Sequence, residues 1–167
     1  MNTRAKGGSG RGSRSLARIA AVQALYQMDM AGTDLNDVIR EFQTLRFSAT
    51  EQVPGTGETD AQFFADILRG VVRRQRDIDP AIDELLATGW RLVRVDSILR
   101  AILRGGVFEL MERRDVPARV AINEYIEVAH AFFDGDEPKV VNGLLDRLAR
   151  RLRPKEFETR PADVAEG

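Results

Sequence analysis

"VRVDSILRAILRGGVFELMER", residues 93–113, decides the fold. Val95, Ile98, Leu99, Ile102, Leu103, Val107, Leu110 and Met111 recur in it at helical spacing and occupy most of the circumference of one helix. A helix that is apolar nearly all round must be packed on every side, so this is the central, buried element. Gly105 and Gly106 lie inside it, each costing about 1 kcal/mol of helix propensity. The expected compensation is close approach of a neighbouring helix at that point.

Working outward, Pro117 starts a helix carrying Ile122, Ile126, Ala129 and Phe133. Pro138 starts the last one, which presents Val141, Leu144, Leu145, Leu148 and Leu152 before Pro154 stops it. Toward the N-terminus, Asp79-Pro80 is expected to restart a short helix through Ile82, Leu85 and Leu86, with Gly89 past its end. Asp60 caps a helix with Phe63, Phe64, Ile67, Leu68, Val71 and Val72. "SATEQVPGTGETD", residues 48–60, is the one clear internal break. Thr33-Asp34 caps a helix with Leu35, Val38, Ile39, Phe42 and Leu45, and Ile19, Gln23, Tyr26 and Met30 recur at gaps of four, three and four. No alternating pattern competes, so the fold is all-α with about seven helices. A flexible, basic, Gly/Ser-rich tail covers residues 1–13, the helical domain 14–153, and a polar, frayed tail 154–167.

Composition narrows the function by exclusion. The 167 residues are 43% hydrophobic and 31% charged, as in a soluble globular domain, and contain no cysteine. That removes disulfides, thiolate nucleophiles and thiolate metal sites, and suits a reducing cytoplasm. No apolar run approaches the roughly 20 residues that span a bilayer. The glycines at 8, 10 and 12 follow no strand, and Ser13-Arg14 stands where a phosphate loop needs Lys followed by Ser or Thr. His130 is the only histidine, and a lone imidazole beside Phe132 and Phe133 is not a metal set. Glu124 and Glu127 share a helix face, which reads as a solvated stripe rather than an acid/base pair. The chain is therefore expected to bind rather than catalyse, with no metal and no cofactor.

Charge supplies the positive signal. Arg4, Lys6, Arg11, Arg14 and Arg18 all precede Asp29, the first acid, in a chain of formal net charge −1. Without those five of its 25 basic residues, 20 remain against 26 acids. On a helix Arg11, Arg14 and Arg18 fall within about 60° of one another. Ile19, Tyr26 and Met30 group on another side, so one side can bury while the other offers guanidinium forks to phosphates or bases. An Arg- and Ser-rich, acid-poor start also fits a transit peptide, and a purely solvated face fits three arginines as well.

"ARIAAVQALYQMD" (17–29) resembles the opening helix of the NusB transcription antitermination family. "DVPARVAINEYIEVAHAF" (115–132) followed by "DEPKVVNGLLDRLAR" (136–150) resembles its C-terminal helix pair, and "SILRAILRGGVFELMERRDVP" (97–117) its middle helix. The likeness covers about residues 14–153 and makes the Arg-bearing segment part of the domain rather than a transit peptide. It implies two packed three-helix subunits, no enzymatic activity, and binding of boxA RNA with NusE, a small-subunit ribosomal protein, to modify RNA polymerase. Residue by residue, it implies that Arg14, Arg18, Gln23 and Lys139 serve RNA, and that Tyr26 and Asp136 serve the partner.

Two departures stand out. Ser15 and Leu16 interrupt the run of adjacent arginines that the family carries, and Val140 stands where some members have an aromatic. Asn123, Asn142 and Gly143 are expected to be structural, the amides buried between helices and the glycine allowing close packing. Two other readings stay open: a protein adaptor without RNA contact, and a module like the one fused to RNA methyltransferases. Oligomeric state is open too, since an exposed arginine face can be covered by a second copy.

Overall fold

The computed structural model describes residues 12–47, 59–86 and 95–158. Arg4, Lys6, Arg11, most of the 48–60 break, Gly89 and the end of the C-terminal tail lie outside the described residues. Six α-helices are described: α1 Ser13–Ala31, α2 Leu35–Glu41, α3 Ala61–Leu85, α4 Ser97–Glu112, α5 Ala118–Phe132 and α6 Glu137–Leu152. A π-helical turn, Phe42–Phe47, extends α2, and a 3-10 turn, Pro154–Phe157, follows α6. Helices α1–α3 pack as one three-helix unit and α4–α6 as the other, with α4 also packed against α1 and α3.

The central helix is buried as its pattern requires: Leu99, Ile102, Leu103, Val107 and Leu110 are all inaccessible or nearly so. Its two glycines mark the close approaches. A Cβ on Gly105 would lie 2.9 Å from the Tyr125 ring of α5, and one on Gly106 would lie 2.8 Å from Leu145 of α6. The propensity lost at this pair is exchanged for contact with both neighbours. Asp96 caps the helix by accepting from the Ile98 N–H at 2.8 Å, so it begins at Ser97 rather than Val93. Asp34 and Asp60 cap α2 and α3 as expected, accepting from Asn36 N–H at 3.1 Å and Phe63 N–H at 2.9 Å.

Three expectations are corrected. Pro80 does not restart a helix but lies inside α3. Ile78 and Ile82, both fully buried, pin the helix on each side of it. Asp79 takes a bidentate pair from Arg104 of α4 at 2.9 Å and 2.9 Å. The α2 pattern also breaks at Phe42. The wider turn there buries both Phe42 and Phe47 against Phe64, with centroids 5.3 and 4.9 Å away, and turns Leu45 out to 68% exposure. Finally, the C-terminal tail does not fray at once. Glu156 accepts from the Ala118 N–H at 2.8 Å, docking the 3-10 turn at the start of α5.

Candidate RNA and partner interface

Helix α1 was expected to bury its Ile19–Tyr26–Met30 side and offer a row of arginines. The structure reverses the two. Its buried side is Ala17, Arg18, Ala20, Ala21, Val22, Ala24 and Leu25. Arg18 is 3% exposed and Glu109, in the middle of α4, is wholly buried. Arg18 Nε and Nη2 donate to the two Glu109 carboxylate oxygens at 2.8 Å each, and Glu124 lies 3.7 Å away. Burial opposes the Arg18 charge, but the Glu109 bonds outweigh it and hold the guanidinium above its ordinary value. Arg18 is therefore withdrawn from the exposed row. A carboxylate enclosed among the apolar positions of α4 needs a partner, and Arg18 is that partner.

Tyr125 stands beside this pair. Its side chain is fully enclosed beside Glu109 and Arg18, and burial first, then the Glu109 charge, push the phenol well above its ordinary value. Glu124 is not part of a purely solvated stripe either, since it accepts from the Ser15 hydroxyl at 2.8 Å.

Arg14 stays outside, one helical turn earlier. Its guanidinium lies 4.5 Å above the Phe63 ring, which also carries Arg18 and Arg113 at 4.9 Å each. Asp115 accepts from Arg14 at 3.3 Å and from Arg113 at 3.0 Å. Asp60 lies 3.9 Å from Arg14, and Asp66 3.1 Å from Arg113. Arg113, Asp115 and the Phe63 platform were not read from the sequence as neighbours of Arg14.

The outer side of α1 is apolar and open. Gln23, Tyr26 and Met30 line a groove of about 430 Å³ with Arg46 of the π-turn, Ile98 and Phe132. Gln23 and Arg46 continue into a second one of about 460 Å³, flanked by Leu16, Ile19 and Leu45. Tyr26 is 38% exposed and Met30 61%. Exposed apolar side chains gathered in one furrow mark a docking surface rather than scattered surface residues. Gln23 thus falls with Tyr26 and not with Arg14, about 18 Å farther along α1 for the Tyr26 end.

Asp136 and Lys139 are both strongly exposed and pair at 3.7 Å at the start of α6. They follow closely on Phe132, which lines the Tyr26 groove. Asn123, Asn142 and Gly143 overturn their structural expectation. All three are exposed, and a Cβ on Gly143 would meet nothing within 4 Å. Helices α5 and α6 approach α4 through Tyr125 and Leu145, so these outward positions are left free for contacts. Asn123 borders a shallow hollow of about 310 Å³ with Ser15 and Glu124.

A model of the NusB family matches residues 15–150. The chain belongs to the NusB family. The transcription antitermination protein NusB of Maricaulis maris is 57% identical over 144 residues, covering 86% of this chain and 90% of that one. The protein of the same name from Rhodopseudomonas palustris strain TIE-1 is 52% identical over 146 residues, 86% and 83% of the two chains. The crystal structure of Thermotoga maritima NusB superposes with a TM-score of 0.72 at 27% identity, covering 89% of this chain and 99% of that one. The NusB match takes in Arg18, Glu109, Tyr26 and Lys139, whereas Arg14 stands just before it and Arg153 just beyond. No helix among the described residues is long and apolar enough to cross a membrane.

Proposed function

We propose that the chain is a transcription antitermination factor, not an enzyme. On this reading it binds single-stranded boxA-type RNA together with NusE, and the pair acts on RNA polymerase in the cytoplasm during ribosomal RNA transcription. The observation that carries the reading is the division of α1 in a member of the NusB family. One end exposes a guanidinium on a fixed ring, and the other opens an apolar furrow around Tyr26. The first suits a phosphate and the second a protein surface. Asp136 and Lys139 extend the partner and RNA faces from α6.

Tyr26→Ala is expected to weaken NusE binding by about 2 kcal/mol, as for an aromatic anchor. Its unfolding midpoint should move little, because the ring is more than a third exposed. Calorimetric titration with NusE, beside thermal unfolding of the free chain, checks both halves. Unfolding in place of lost binding would make Tyr26 a core residue.

With Arg18 buried, Arg14 is the arginine of α1 left to contact a phosphate. Arg14→Ala is expected to flatten log RNA affinity against log salt by about 0.7, the value for one phosphate contact on a single strand. The loss should be similar on different RNA sequences, since such contacts position the strand without reading it. The measurement is RNA affinity over a salt series with NusE saturating. An unchanged slope would move the RNA path away from α1, toward Lys139, and no RNA binding at all would leave a protein adaptor.

A further inference from the structure

The carboxylate of Asp115 is shared by two guanidiniums from different parts of the chain. Arg14 reaches it from α1, and Arg113 from the end of α4 with two bonds of 3.0 Å. Both guanidiniums rest on the buried Phe63 ring, so the ring positions them as well as the carboxylate does. We propose that Asp115 occupies the seat of an RNA backbone phosphate, and that Arg14 and Arg113 together clamp that phosphate once Asp115 has swung aside. This rests on the RNA-binding reading given above and adds Arg113 as a contact and Asp115 as its competitor.

Three features favour a displaceable carboxylate. Asp115 is about half exposed and stands in the turn between α4 and α5, not within a helix. The Arg113 bonds hold its carboxyl below the ordinary value, so the seat already selects an anion. The Arg14 bond to Asp115 is single, 3.3 Å long and between half-exposed side chains, so giving it up costs little. Two other acids border the seat: Asp60 caps α3 and lies 3.9 Å from Arg14, and Asp66 accepts from Arg113 at 3.1 Å. A phosphate offers more acceptor oxygens than a carboxylate and can take a fork from each arginine. The adjoining polar hollow of about 230 Å³, between Arg14, Asp66 and Arg113, leaves room beside the ring.

The test uses the full chain with saturating NusE, a boxA-type single-stranded RNA and a scrambled RNA of the same length, over a salt series. Asp115→Asn is expected to bind both RNAs about fivefold more tightly, the scale of one exposed ion pair. Arg113→Gln should flatten the salt dependence by the same amount as Arg14→Ala, about 0.7, and the double variant by no more, because both guanidiniums serve one phosphate. Arg113→Lys, which keeps the charge but not the fork, should retain the slope at lower affinity. Unfolding midpoints accompany each variant, and the Lys variant still tests the contact if the Gln variant folds poorly. No gain in Asp115→Asn while Arg14→Ala remains effective would overturn the clamp and leave the RNA reading intact. A gain without any Arg113 effect would overturn it as well, reducing Asp115 to general repulsion. Failure of the unaltered pair to bind RNA would end both.

Discussion

Glu109→Ala is expected to cost the fold about 3–5 kcal/mol, the scale for breaking a buried ion pair from one side. Glu109 is inaccessible and Arg18 nearly so, so the variant leaves a guanidinium enclosed between α1, α4 and α5 with only Glu124 near it, at 3.7 Å. An arginine cannot escape by losing its proton, as a lysine could. Urea unfolding should show the midpoint fall with little change in slope. The double variant Arg18→Met with Glu109→Leu should recover most of the loss, because apolar groups of similar volume remove both desolvation costs together. It should also retain RNA and NusE affinity, since neither side chain reaches the surface. A Glu109→Ala loss below about 1 kcal/mol would place the pair in the exposed class, and the reversal of α1 would then be wrong.

That reversal shows why part of the site was illegible. The true inner side of α1 is rich in alanine, with Ala17, Ala20, Ala21 and Ala24 buried, and alanine barely marks a hydrophobic pattern. Small side chains let α1 lie close to α4, while the larger Tyr26 and Met30 stand exposed and Ile19 packs only partly against the core. Charge drew the eye to Arg18 for the opposite reason. Its partner lies 91 positions away, and nothing local announces such a pair. One signal was available: Glu109 is the only acid amid the apolar positions of α4, and such a carboxylate demands a cation. Features set by neighbours in the chain were legible, namely the caps at Asp34 and Asp60, the start of α6 at Pro138 and the glycine approaches in α4. Pro80 and the π-turn were not, because buried isoleucines and the packing of Phe42 and Phe47 on Phe64 of α3 override the local preference. Asn123 and Asn142 failed similarly, since a pattern gives the face of a helix and not what stands opposite it.

Arg153→Ala should be nearly as damaging as Glu109→Ala, by about 3–4 kcal/mol, through lost bonds to carbonyls. The side chain is 3% exposed and was read from the sequence only as the residue before a tail. Its guanidinium donates to the carbonyls of Glu109 at 2.9 Å, Leu110 at 3.1 Å, Arg113 at 3.0 Å and Val116 at 2.6 Å. The last carbonyls of a helix have no partner within it, and here one planar fork from the end of α6 serves both the end of α4 and the turn beyond. A cation at that end also meets the negative pole of the helix. Arg153→Lys should recover the charge but not the four bonds, leaving a loss of about 2 kcal/mol, because an ammonium is a point donor and not a fork. The turn so held carries Arg113 and Asp115, so the Lys variant, assayed well below its melting midpoint, should also bind RNA less tightly while NusE binding at the Tyr26 furrow is kept. Denaturant midpoints of both variants, with RNA and NusE titrations of the Lys form, check this. If Arg153→Lys unfolds like the unaltered chain, the carbonyls are satisfied without the fork and the end of α4 needs no such clasp.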